Sequence, residues 1–226
     1  IMMRTESKDG SKFVTDEIFN TASHLSGSIA SLLGMVLLIV KSSVLGDPWK
    51  IVSFSIYGIT LLMVFFASAM HHGINSSKKT EEFLKLLDYS AIFPLIAGTF
   101  TPLCLVTLRT PIGWSVLGVI WGLAIIGITI KVIFPKIPKW TTNTIYISMG
   151  WIGGILAIPL FSKIGIVGFL YLLLGGILYS VGSAIYYSEK PNPVPGKFGF
   201  HEIWHIFVIA GALFHYLLMF FIVLPF

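Results

Sequence analysis

The chain has 226 residues, 55% of them hydrophobic and only 11% charged, and its mean hydropathy is +0.88; too few polar groups remain to cover a water-soluble core of this size. Length allows about seven membrane crossings at roughly 20 apolar residues each and excludes a large extramembrane catalytic or ligand-binding domain. The formal charge of +5 does not point to nucleic acid, because no contiguous block of Lys and Arg occurs and the basic residues fall between apolar runs.

Residues 1–15 form a polar tail of mixed charge with no short apolar region and small-residue cleavage site, so no signal peptide is expected. Residues 16–226 read as one domain of seven helices. The first span, near 17–40, carries Glu17, Asn20 and His24 at i, i+3 and i+7, one face of a helix. The second, near 49–72, ends in Ser68, His71 and His72. The third, near 86–108, begins with Asp88 and contains Pro94, Pro102 and Cys104. Spans four, five and six lie near 112–134, 140–161 and 164–187, with Gly150, Gly153, Gly154, Gly175 and Gly176 suited to close helix contacts. A loop stiffened by Pro191, Pro193 and Pro195 leads to the seventh, near 201–225, which holds His201, His205 and His215.

Sorting the fifteen basic residues over seven crossings gives a lopsided result. Arg4, Lys8, Lys12, Lys78, Lys79, Lys85, Lys131, Lys136, Lys139, Lys190 and Lys197 fall on one side; Lys41, Lys50, Arg109 and Lys163 fall on the other. The positive-inside rule then predicts a cytoplasmic N-terminus and an external C-terminus. With that orientation, Glu17, Asn20 and His24, Ser68 and His72, Asp88, and His201 and His205 come from four distant spans to one depth near the cytoplasmic face.

All six histidines lie in or at the ends of predicted spans. Ionisable groups there are costly unless paired or ligating. His201 and His205 are i and i+4, a two-ligand helical clamp for zinc, and a third His from a neighbouring helix leaves the fourth tetrahedral position for water. A single cysteine, Cys104, excludes a thiolate cluster, so a metal must be held by His and carboxylate; zinc is favoured, with manganese and nickel left open. Asp88 suits a general base that accepts a hydrogen bond from the metal's water, and Ser68 a supporting donor. His215 lies about 15 Å along the helix from His205, too deep for the same metal, and reads as a buried hydrogen-bonding group. Glu17, Asn20 and His24 suit either an interhelical network or the site itself.

The set Glu17-x2-Asn20-x3-His24, Ser68-x3-His72, Leu87-Asp88-Tyr89-Ser90-Ala91-Ile92, His201-x3-His205 and His215-Tyr216 resembles the hemolysin III family. That family groups with the adiponectin and progestin receptors in the PAQR superfamily and, more distantly, with the alkaline ceramidases. The resemblance spans residues 16–226. It implies a seven-helix bundle in a bacterial cytoplasmic membrane, with zinc on His72, His201 and His205, a water-holding Asp88 and a supporting Ser68. His71 departs from the family pattern, in which an aromatic residue is usual, and leaves a second candidate beside His72.

Two functions follow as expectations. One is a zinc-dependent hydrolase of a lipid amide or ester acting in membrane lipid homeostasis, with membrane lipids as partners. The other is a non-enzymatic protein that senses or maintains membrane state around a structural zinc. A receptor role is suggested only by the eukaryotic cousins. A cytolytic pore has little support, since there is no secretion signal, amphipathic β pattern or ring of charge.

Overall fold

A computed structural model describes residues 7, 8, 11 and 16–226. Of the predicted tail, only Ser7, Lys8 and Ser11 lie among the described residues. The protein is all-helical, with α1 at Glu17–Leu45, α2 at Pro48–Gly73, α3 at Lys78–Pro102, α4 at Pro111–Ile133, α5 at Lys139–Trp151, α6 at Ala157–Ser188 and α7 at Phe200–Leu218. Six helical stretches among the described residues are long and apolar enough to cross a membrane. One is the 50-residue run Lys139–Ser188, which contains α5, a 3-10 turn and α6.

Local chemistry sets the ends. The Asp16 carboxylate accepts from the amides of Ile18 and Phe19 and starts α1. Gly46 closes α1 in the left-handed conformation at φ 67°, Asp47 caps α2, and Pro48 occupies its first turn. This Gly-Asp-Pro corner explains why α1 runs to Leu45 rather than stopping near residue 40: Lys41 lies within the helix and does not end it. Likewise Ser77 caps α3 by accepting from the Thr80 amide, so the helix starts a charged double turn before the apolar run. Inside the long run, Gly165 is non-helical at φ 63° and ψ −177°. That region is open essentially to glycine alone, and the chain breaks there, at the second residue of predicted span six rather than between spans five and six.

α3 is the most enclosed long helix and packs between α2 and α4. α1 and α2 pack closely through reciprocal notches: Gly27 of α1 receives the Phe65 ring, and Gly58 of α2 receives Met35. Leu38, Phe54, Tyr57, Phe93 and Ile120 are buried in the core. Outward-facing residues such as Val44 (84% exposed) and Ile158 (85%) are apolar, an inversion of a soluble surface that suits contact with lipid.

Candidate metal centre

The starts of α1 and α7 and the end of α2 meet at one end of the bundle, so their polar residues converge. His72, His201 and His205 are all buried, and one ring nitrogen from each lies within 4.8 Å of the others. The rings of His72 and His201 are 4.9 Å apart, those of His72 and His205 5.0 Å, and those of His201 and His205 4.9 Å. His201 and His205 face the same way because they are one turn apart on α7; His72 reaches them from the last turn of α2.

Supporting contacts fix two of these rings. The Glu17 carboxylate lies 2.5 Å from His72 Nδ1, and Ser23 Oγ lies 3.2 Å from His205 Nδ1. With each Nδ1 engaged, Nε2 is the atom that each ring has to offer a metal, the arrangement in which a second hydrogen bond sets tautomer and orientation. Two nitrogens at 2.0–2.1 Å from a tetrahedral zinc stand about 3.4 Å apart. Three neutral imidazoles this close together form a donor set that could hold a metal ion.

The α1 face divides its contacts. Glu17 meets His72, while the Asn20 amide donates to Glu202 Oε1 at 3.1 Å. The His24 ring stacks on His205 with centroids 3.6 Å apart and planes 13° from parallel. Both ring nitrogens of His24 lack a hydrogen-bond partner among the described residues, as do both of His71. His71 is 1% exposed, and it forms a second group with His72 and Asp88 whose ligating atoms also lie within 4.8 Å of one another. Asp88 is therefore beside the His72 edge of the cluster, and the two adjacent histidines divide between two groupings. Ser68 is buried and lines the same cavity as Asp88, His201 and His205.

That cavity, about 270 Å³, runs among α3, α5, α6 and α7. Its polar end holds Ser68, Asp88, His201 and His205; beyond them it is walled by apolar residues such as Ile92, Phe100 and Leu172 and reaches His215. His215 is distant from the cluster, as its spacing predicted. Its Nε2 lies 3.2 Å from the Leu172 carbonyl, which can only accept, so Nε2 carries the proton.

Three contributors were not singled out in the sequence. Glu202, fully buried between the two α7 histidines, accepts through Oε2 from the Gly199 amide at 2.7 Å. Through Oε1 it accepts from the Asp16 amide at 2.7 Å and from Asn20. It thus ties the first turn of α7 to the start of α1. A Glu at the third position of a helix is a sequence-visible capping signal. Ser23 gave no such sign. Lys8 Nζ donates to the carbonyls of His71, His72 and Ile74 at 3.1, 2.7 and 2.8 Å, where a cation opposes the negative end of α2.

Comparison with known proteins agrees with this architecture. The family model described as Haemolysin-III related matches residues 13–216. The chain is similar to "Hemolysin-3" of Bacillus cereus, 39% identical over 214 residues that cover 95% of this chain and 94% of that one. It is similar to the "Hemolysin-3 homolog" of Bacillus subtilis (strain 168), 39% identical over 94% of this chain and 98% of the relative. A more distant likeness is the "Adiponectin receptor protein" of Drosophila melanogaster, 29% identical over 90% of this chain and 50% of the receptor. Apolar helices and bacterial relatives together make this a multi-pass integral protein of a bacterial membrane. On the match to most of its length and the likeness to both Bacillus proteins, the chain belongs to the haemolysin-III-related family.

Proposed function

We propose that the protein is a zinc-dependent hydrolase of a lipid amide or ester that acts in membrane lipid homeostasis. In this reading seven helices cross the membrane and the N-terminus is cytoplasmic. A single helix of 50 residues would extend about 75 Å at 1.5 Å per residue, against a hydrocarbon core of about 30 Å. The break at Gly165 supports two crossings within that run, and the unequal distribution of basic residues supports the orientation.

The observation that carries the hydrolase reading is the buried trio of His72, His201 and His205, in which His72 and His205 are oriented by Glu17 and Ser23 and His201 and His205 line a cavity with apolar walls. In the proposal these three residues hold zinc, which supplies Lewis acidity to polarise a carbonyl and acidify water. Asp88 takes the proton from the attacking water and returns it to the leaving amine or alcohol as the C–N or C–O bond breaks. Ser68 donates a hydrogen bond that orients and does not attack. The apolar walls hold the hydrocarbon so that its carbonyl reaches the histidine end, and His24, stacked on His205, closes that end.

A structural ion is the second reading, with a role in sensing or maintaining membrane state. It is favoured by the hydrogen bonds that already tie α1 to α2 and α7 around the trio. Elemental mass spectrometry of detergent-purified protein tests the shared premise. About one zinc per chain is expected, lost in His72→Ala and in the His201→Ala/His205→Ala double variant and retained in His71→Ala. Absence of metal from freshly purified, folded wild type would end both readings. Asp88→Asn then separates them: retained zinc with loss of fatty-acid release from an amide and ester panel supports hydrolysis. No release by the zinc-loaded wild type leaves the structural ion.

A further inference from the structure

The charge of Lys131 is not used by the metal centre or by any fold contact of the usual kind. It lies in the last turn of α4, is 6% exposed, and lines the cavity. Its ammonium is 5.1 Å from the centroid of the Tyr89 ring. Among the described residues it has no hydrogen-bond acceptor and no carboxylate within ion-pair distance. Other lysines of the molecule are compensated: Lys139 pairs with Glu189 at 3.1 Å, and Lys8 is held by three carbonyls. Asp88, the carboxylate that also lines the cavity, is grouped with His71 and His72. A ring face returns only part of the hydration that a buried ammonium loses, and an uncompensated charge inside a membrane protein marks a ligand path more often than a packing solution.

The surroundings specify the ligand. Tyr89 and Tyr186 join α3 to α6 through their hydroxyls at 2.7 Å, and the Tyr186 ring stands 5.5 Å from that of His201. Lys131 and the histidine cluster therefore flank one aromatic wall. The hydroxyl of Tyr146 donates to the Tyr89 carbonyl at 2.6 Å and holds that wall against α5. Past it, the cavity is lined by Ile92, Leu95, Ile96 and Phe100 on one helix and by Leu172 and Leu173 on another. Two lysines line the cavity, and Lys139 is paired with Glu189; the remaining cation, Lys131, beside an apolar trough complements a hydrocarbon chain that ends in a negative charge.

We propose that Lys131 is an anion-binding residue of this cavity and takes the carboxylate or phosphate head of a single-chain amphiphile. The hydrocarbon lies along α3 and α6. This goes beyond the hydrolase reading, since binding requires neither a reaction nor a metal.

The test is equilibrium binding in a neutral maltoside detergent, read by the fluorescence of Trp151 and Trp204, which line the cavity, and repeated by calorimetry. The probes are dodecanoate, dodecyl phosphate, the uncharged dodecanamide, and inorganic phosphate. Wild type is expected to bind both charged amphiphiles at least about tenfold more tightly than the amide, a ratio that corresponds to about 1.4 kcal/mol. Lys131→Met is expected to bring the ratio near one with amide binding unchanged, and Lys131→Arg to retain the preference. Equal binding of charged and uncharged probes by wild type overturns the proposal without recourse to any variant, as does an undiminished preference in folded Lys131→Met. Inorganic phosphate binding as tightly as dodecyl phosphate would refute an amphiphile site. Loss of the preference after metal is stripped by chelator would assign the anion to the metal instead. Failure of hydrolysis leaves these ratios untouched, so the two readings fail separately.

Discussion

Glu202 supports a quantitative prediction, because its carboxyl group accepts from three donors in two helices. The Gly199 amide and the Asn20 side chain make buried bonds to it, and the Asp16 amide a partly buried one. Replacement by Ala strands all three donors. A buried donor left unsatisfied costs about 1–3 kcal/mol, and less where water reaches it. Two buried donors and one partly buried donor therefore sum to about 4 kcal/mol. For a chain of this size each kcal/mol moves the melting point by about 2–4 °C, so Glu202→Ala is expected to melt about 8–16 °C below wild type. Glu202→Gln retains one oxygen for Asp16 and Asn20 but turns an NH2 group toward the Gly199 amide, or the reverse. Its loss is about 1–3 kcal/mol, between Ala and wild type. Glu189→Ala, which removes a partly exposed pair with Lys139, is the control and is expected to cost under about 1 kcal/mol. Thermal unfolding in detergent, followed by helical circular dichroism, reads all three. If Glu202→Ala melts within 2 °C of wild type, or no lower than Glu189→Ala, the carboxylate is not the tie between α1 and α7.

Two other predictions use contacts of different kinds. Glu17→Gln weakens the group that orients His72, so zinc affinity, measured by competition with a chelating dye, is expected to fall about 10- to 100-fold while the helix content is unchanged; an unaltered affinity would show that His72 needs no such partner. At Gly175 an added Cβ runs into the His215 ring, whereas at the adjacent Gly176 it meets open space. Gly175→Ala is expected to destabilise by about 1–3 kcal/mol through overpacking. Gly176→Ala is expected to be neutral or to stabilise by up to about 1 kcal/mol through helix propensity. The reverse order in a melting comparison would contradict the packing at His215.

Much of the fold was legible because a bilayer enforces a simple grammar of apolar runs and punctuation. The Gly46-Asp47-Pro48 corner and the Ser77 cap are local chemistry, yet they shifted helix ends by several residues from where hydropathy put them. Lys41 and the charged first turns of α3 looked like loop because side-chain polarity hides helical backbone at the membrane edge. The histidine convergence was readable from i, i+4 spacing together with a common depth. Lys131 carries only a topological charge in the sequence, and nothing local distinguishes a lysine that snorkels to water from one buried against the Tyr89 ring. Glu202 was overlooked between two conspicuous neighbours, since its partners at Asp16 and Asn20 are at the opposite end of the chain. Such long-range acceptors have no period and no flanking pattern.

The histidine trio also fixes an order of events during biosynthesis. His72 emerges early, but His201 and His205 are on the final long helix, and Glu202 must find the beginning of α1 after everything between them has been made. A ribosome-bound chain that has released only its first six helices offers one of the three imidazoles. The last helix therefore acts as the keystone of the assembly: its arrival brings the three imidazoles together and ties the start of α1 to α7 in the same step.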